Sequence, residues 1–229
     1  MSEQSFTEFL MDVPIFTDLD KQTLEKIASL GRRRVYEKDS VILLEEDIGS
    51  ALFVIIRGKV KVSRSSSDGK EVILSIMGES DFFGEMAILD GLNRSANVIA
   101  IENSELFIIQ RNDFINLLKT YPEISISLLQ ELTKRLRSAD LKIKALSLKD
   151  AEGKVAAVIL QIADDIGKIK QGIVEIEKLP MHQDIANMAG TSRETISRTF
   201  RSFIKKGLIE HEGTKLRILN YEKFKEYFE

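Results

Sequence analysis

The period of apolar and polar positions changes several times along this chain. Between residues 6 and 30, Phe6, Leu10 and Met11, then Leu24, Ile27 and Leu30, recur at helical spacing and predict short helices. From Val35 to Ile109 the texture turns to short β-type runs: Val41-Ile-Leu-Leu, Leu52-Phe-Val-Ile-Ile, Val60-Lys-Val and Val72-Ile-Leu-Ser-Ile. Arg57-Gly58-Lys59, Ser67-Asp68-Gly69-Lys70 and Glu102-Asn103-Ser104 supply turn signals between them. Strands at roughly ten-residue spacing predict a jelly-roll-like β-barrel, with the stretch after Phe83 as its helical interruption.

From about Arg111 the helical period returns, and Pro122 suits the first turn of a long helix. Leu129, Leu132, Leu136, Ala139, Ile143 and Leu146 step by 3, 4, 3, 4 and 3, a heptad seam. Lys134, Arg135, Arg137, Lys142 and Lys144 flank this narrow stripe, which predicts a dimer seam in preference to a helix lying on the barrel. Asp150–Ile166 reads as the next helix, followed by a charged loop and a short strand, Ile173-Val-Glu-Ile, within Lys168–Lys178.

One helix then stops at Gly190 and another starts at Thr191 or Ser192, capped by Thr191 with Glu194 or by Ser192 alone. Ile185, Ala189, Ile196, Phe200 and Phe203 fall on the inner faces, so the spacing is that of a helix-turn-helix. Leu208–Ile218 reads as a hairpin turning near Gly213, a wing, and Asn220 as the cap of a closing helix. The expected class is α+β: a β-roll domain over 1–120, a central helix over 121–149 and a winged helix-turn-helix over 150–229.

Composition removes several function classes. The 229 residues suffice for one large or two modest domains. With no cysteine, disulfides, thiolate zinc sites and cysteine-ligated iron–sulfur clusters are excluded. No apolar run approaches the ~20 residues of a membrane span. The N-terminus has neither a basic start nor an apolar core, so a cytoplasmic protein is expected. Both histidines, His182 and His211, lie in the C-terminal third, which leaves the β region none to ligate a haem. Neither a nucleophile–base constellation nor a metal-ligand cluster stands out, so no enzyme and no metal are expected. Net charge is −3, yet Arg193 to Arg217 holds seven cations against three anions.

Two strings carry chemistry. Phe83-Gly84-Glu85-Met86-Ala87, followed by Arg94-Ser95-Ala96, puts a carboxylate and a guanidinium at the ends of a short turn. Glu85 suits a ribose hydroxyl, Arg94 can fork onto two phosphate oxygens, and Gly84 admits close backbone approach. Residues 84–88 predict one helical turn whose free N–H groups face the anion. In the second string, Arg193, Glu194, Ser197, Arg198 and Arg201 project from one side of the second helix of the helix-turn-helix. Arginine suits guanine O6 and N7, and glutamate accepts from cytosine N4. Arg201, Lys205 and Lys206 lie farther along and suit phosphates.

The first string resembles the phosphate-binding cassette of the cyclic-nucleotide-binding domain. The second resembles the recognition helix of the cyclic AMP receptor protein and FNR superfamily. The resemblance implies that Gly84 and Glu85 take the ribose and Arg94 and Ser95 the cyclic phosphate. Ala87 and Ala96 are the small residues that let the cassette pack, and both belong with Met86 to the ligand set. Arg135 and Asp140 of the central helix join the ligand set. Ala139 and Asp140 stand where that family has two hydroxyl residues reading adenine, and Asp39 and Glu46 stand where it often has glycines.

At the DNA, Arg193, Glu194 and Arg198 match the receptor-protein trio, while Glu194, Ser197 and Arg198 match the FNR type. Gln183 and Ser192 belong with them. His182 replaces an arginine and Met181 a hydroxyl residue, which weakens one phosphate contact. The implied function is a homodimeric transcription regulator, controlled by cyclic AMP, reading a palindromic TGTGA-type operator in double-stranded DNA. RNA polymerase is a partner if it activates. The alternatives are cyclic GMP, cyclic di-GMP or no effector, or a nucleotide-binding interaction module without DNA binding. No membrane, haem or iron–sulfur cluster enters.

Overall fold

The computed structural model describes residues 3–67 and 69–228; Met1, Ser2, Glu229 and Asp68, which falls in the turn expected from sequence at Ser67–Lys70, lie outside the described residues. Two compact units divide the chain, one of residues up to Arg64 with Ser75–Arg137, the other of Ser65–Leu74 with the residues from Ser138 onward.

The chain opens with α1 (Glu3–Met11) and α2 (Lys21–Leu30). The Asp20 carboxylate caps α2 by accepting the Thr23 N–H at 2.9 Å. The β region comprises β1 (Arg32–Tyr36), β2 (Val41–Leu43), β3 (Ala51–Arg57), β4 (Val60–Ser65), β5 (Glu71–Met77) and β6 (Phe82–Phe83). The short helix α3 (Glu85–Leu89) interrupts it before β7 (Asn97–Ala100) and β8 (Ser104–Gln110). Two four-stranded sheets result, ordered β1-β8-β3-β6 and β2-β7-β4-β5, in keeping with the predicted jelly-roll.

Strand β3 is buried from Ala51 to Ile56. Leu52, Val54 and Ile56 join a core with Phe6, Phe107 and Phe114, while Ala51, Phe53 and Ile55 join another with Phe83, Val98 and Ile108. The unbroken apolar run therefore marks a strand covered on both faces. β1 begins at Arg32, ahead of the predicted Val35. It is an edge strand whose Arg32, Arg33 and Arg34 stay exposed while their backbone pairs with β8. Asp39 and Glu46 adopt the left-handed conformation, with φ of 67° and 70°. The turns expected of glycine are thus kept without it, held by Asp39 N–H to Ala100 O at 2.7 Å and Glu46 N–H to Arg94 O at 2.9 Å.

After α4 (Arg111–Thr120) comes the continuous α5 (Pro122–Leu148). Ile124 and Leu128 are buried in the first unit's core and Leu132 packs against it. Of the other seam residues, Leu129, Leu136 and Ile143 are 64%, 63% and 63% exposed, and Ala139 and Leu146 are exposed as well. Among the described residues no helix is long and apolar enough to cross a membrane.

The second unit continues with α6 (Ala151–Ile166), β9 (Lys168–Lys170), β10 (Ile173–Ile176), α7 (His182–Ala189), α8 (Arg193–Lys205), β11 (Ile209–Glu212), β12 (Lys215–Ile218) and α9 (Tyr221–Phe228). Asp150 caps α6 through the Gly153 N–H at 2.8 Å, and Asn220 caps α9 through the Lys223 N–H at 2.9 Å. Val155, Ile159, Ile185, Ile196, Phe203 and Phe224 are buried in its interior. The predicted wing hairpin is β11–β12, part of a sheet ordered β11-β12-β10-β9. Residues 168–172, expected as a charged loop, instead form β9 and a two-residue turn at Gln171 and Gly172. Both turn residues have positive φ, 51° and 80°, the twist that a tight hairpin requires.

Candidate functional site

The cassette is built where β6 stops. Gly84 follows it at φ 87°, and a Cβ there would lie 2.7 Å from Arg94 Nη1 and 3.0 Å from Ala51 O. Conformation and space both call for glycine. α3 then starts at Glu85, which is 3% exposed. Arg135 Nη1 donates to Glu85 Oε1 at 3.0 Å and its Nη2 to Phe82 O at 2.7 Å, with the guanidinium 4.5 Å over the Phe82 ring.

Arg94 is 4% exposed. Its Nη1 donates to Gly84 O at 2.7 Å and its Nη2 to Ala51 O at 2.8 Å, while the buried Nε–H has no protein partner. Burial lowers the pKa of this guanidinium from its ordinary value, partly offset by the negative charges of Glu85 and Asp47. The exposed Ser95 donates its hydroxyl to Met86 Sδ at 3.6 Å. Ala87 and Ala96 are buried.

These residues wall one cavity of about 130 Å3, which gathers Gly84, Glu85, Met86, Ala87, Arg94, Ser95, Ala96 and Arg135. Phe83 also lines it, and so do Leu43, Val62, Ser75, Met77 and Val98, which were not singled out as site residues from sequence. Their only signal is that inward positions of strands alternate, which core residues share. Ala139 and Asp140 are exposed on α5, and the cavity is lined wholly by residues of the first unit.

In the second unit α7 ends at Gly190, φ 57°, whose N–H donates to Ala186 O. Ser192 caps α8 by accepting the Thr195 N–H at 3.2 Å. Ile196, Thr199, Phe200 and Phe203 point inward, leaving Arg193, Glu194, Arg198 and Arg201 exposed and Ser197 half-buried. Glu194 sits below its ordinary pKa because its own N–H and the Ser192 hydroxyl hydrogen-bond to it. Gln183, exposed on α7, donates to Asn187 Oδ1 at 3.0 Å.

Burial and pairing sort the basic segment. Lys206 pairs with Glu152, Lys215 with Glu177, and Arg217 with Glu175 and Glu210. Arg193, Arg198 and Arg201 have no such ion pair among the described residues, so cations outnumber the single carboxylate, Glu194, on the outer face of α8. Among those residues no group of His, Cys, Asp and Glu is arranged to hold a metal ion.

A β-roll with a buried acid–arginine cavity, followed in the chain by a winged helix-turn-helix, defines the class of ligand-responsive DNA-binding proteins. Residues 33–121 match the cyclic nucleotide-binding domain family and residues 153–227 the Crp-like helix-turn-helix domain family. The chain is 33% identical to the Cyclic AMP receptor protein of Thermus thermophilus, over 86% of this chain and 88% of that one. It is 30% identical to the CRP-like cAMP-activated global transcriptional regulator of Mycobacterium tuberculosis, over 94% of this chain and 96% of that one. The solved structure of FixK2 from Bradyrhizobium japonicum has the same fold, with TM-score 0.75 at 21% identity over 86% of this chain and 96% of that one. The chain belongs to the cyclic AMP receptor protein and FNR superfamily, as a cyclic-nucleotide-binding transcription regulator with a helix-turn-helix DNA-binding domain.

Proposed function

We propose that the chain acts as a homodimer whose grip on a palindromic TGTGA-type operator is set by a cyclic nucleotide in the β-roll cavity, with cyclic AMP as the effector. The observation that carries this reading is that Glu85 and Arg94, both almost fully buried, wall the same cavity. Two opposite charges kept out of water at one cavity are costly unless something uses them. A cyclic phosphate oxygen would accept the Arg94 Nε–H, and leaving such a buried donor unmatched costs about 1–3 kcal/mol. The second oxygen of Glu85 is the acceptor for a ribose hydroxyl.

Coupling to DNA runs through Arg135. It holds Glu85 from α5, the helix that also carries the exposed row Leu129, Leu136 and Ile143. A nucleotide that draws on Glu85 competes with Arg135 and so biases α5 and the dimer geometry. Two copies of α8 placed ~34 Å apart would meet successive major grooves, with Arg193, Glu194, Ser197 and Arg198 at base edges and Gln183, Ser192 and Arg201 towards phosphates.

One observation favours a second reading, in which the architecture is the same and the effector is cyclic GMP, cyclic di-GMP or none. Ala139 cannot hydrogen-bond and Asp140 only accepts, so a base reader at these positions has lost both hydroxyls. Calorimetric titration of the protein with the three nucleotides separates the readings. Heat with cyclic AMP alone supports the first, heat with a guanine nucleotide alone supports the second, and none with any of them contradicts control by a cyclic nucleotide.

A further inference from the structure

His182 opens α7 with its imidazole Nδ1 3.2 Å from the hydroxyl oxygen of Ser197 on α8. The ring stacks on that of His211 from β11, centroids 5.6 Å apart, and Phe200 lies 5.0 Å from one and 5.3 Å from the other. The groups facing His182 are thus His211 from the wing and Arg193, Ser197 and Phe200 from α8. Besides burial, the groups acting on its charge are His211 and Arg193, both of which disfavour the imidazolium, while the carboxylates of Asp184 on α7 and Glu194 on α8 stand on the same two helices. Burial first, then His211 and Arg193, hold the His182 pKa below its ordinary value.

A serine hydroxyl has one hydrogen, and what its neighbour does decides where that hydrogen points. A neutral imidazole carrying its proton on Nε2 presents a lone pair at Nδ1, so Ser197 donates inward and meets a partner outside only as an acceptor. An imidazolium carries N–H on both nitrogens. Nδ1 then donates to Ser197 Oγ, and the hydroxyl hydrogen is released to point outward.

We infer that His182 sets the hydrogen-bonding polarity of Ser197 and thereby makes base preference at one operator position depend on pH. This rests on the reading of α8 as the DNA-recognition helix. Above the imidazole's pKa an acceptor-only Ser197 favours an exocyclic amine, adenine N6 or cytosine N4. Below it the donating hydroxyl favours guanine O6 or N7, or thymine O4. His182 is a positioning residue here, since it acts on the base through Ser197.

Two measurements test this. Long-range nitrogen–proton NMR of the full chain at pH 8 should find the His182 proton on Nε2; a proton on Nδ1 overturns the inference without touching the DNA reading. Fluorescence anisotropy against operators with single-base changes, at pH 8 and pH 5 and constant ionic strength, reads the consequence. Relative preference should change by about fivefold at one position, the scale of one net hydrogen bond. That change should vanish in Ser197→Ala and His182→Gln and persist in Ser197→Thr, which keeps the hydroxyl. A pH effect equal for all sequences, or one that survives Ser197→Ala, overturns the inference while sequence-specific binding stands. Absence of sequence discrimination at both pH values overturns the DNA reading itself, and the inference with it.

Discussion

Arg135 donates to the carboxylate of Glu85 at 3.0 Å, so the acid proposed for the ribose also holds the central helix. One carboxylate therefore serves two partners on different elements, and its free energy is shared between them. Arg135 keeps 34% of its side chain exposed against 4% for Glu85, so solvent weakens the pair. A urea-melt cycle of Glu85→Gln, Arg135→Gln and the double variant should give a coupling of about 1 kcal/mol. Additive effects would mean the pair carries no energetic link to α5.

Gly84→Ala tests the cassette's backbone. The left-handed φ of 87° is retained only at a cost of about 1–2 kcal/mol in a residue with a Cβ. The new methyl also meets Arg94 Nη1. Denaturation should show that loss of stability, and calorimetry a nucleotide affinity at least about tenfold weaker, since Arg94 must move. Wild-type affinity in this variant would remove Gly84 from the site.

Asp81 links the cassette to pH. Its Oδ2 accepts the Gly78 N–H at 2.8 Å, but burial raises its pKa above the ordinary 3.8, against the Gly78 hydrogen bond and the charge of Arg135. The folded chain thus holds this proton more tightly than the unfolded one. The group's contribution to stability is full below 3.8 and falls as pH rises from there through the raised value. Asp81→Asn should therefore melt higher than wild type at pH 7, with an advantage that shrinks as pH falls towards 4. A difference that stays constant with pH would contradict this.

Much of this architecture was legible in the chain. The run Leu52–Ile56 announced a strand, and Gly190 announced the turn of the helix-turn-helix, with Ser192 one of the two caps expected after it. What escaped depended on distant groups. Arg94 read as a fork aimed at phosphate; that two of its nitrogens bond the Gly84 and Ala51 carbonyls depends on where β3 and β6 run. The grip of Arg135 on Glu85 joins residues 50 apart, and local pattern carries no such information. β9 went unseen because Lys168-Ile-Lys is short and two of its three residues are charged, although Gln171-Gly172 was its turn signal. The stack of His182 on His211 forms only once the wing folds back on α7. In the heptad stripe, period alone could not separate Leu132, packed on the first unit's core, from the exposed Leu129 and Leu136.

Leu136 is exposed on α5, so a charge there should cost the folded chain within about 0.5 kcal/mol yet disrupt a seam between two copies. Leu136→Glu is expected to sediment as a monomer where wild type sediments as a dimer, with unchanged circular dichroism. A Leu136→Glu protein that remains dimeric would move the interface elsewhere.

The central claim is that the cavity of Glu85 and Arg94 governs DNA binding. It is tested most directly by the affinity for a palindromic TGTGA operator, measured with and without saturating cyclic nucleotide. The account predicts at least about a tenfold change in wild type, a coupling near 1.4 kcal/mol, and none in Arg94→Ala. Arg198→Ala should keep the nucleotide response but lose about 1–3 kcal/mol on this site relative to a scrambled one. An operator affinity that cyclic AMP, cyclic GMP and cyclic di-GMP all leave unchanged in the wild-type protein would contradict it.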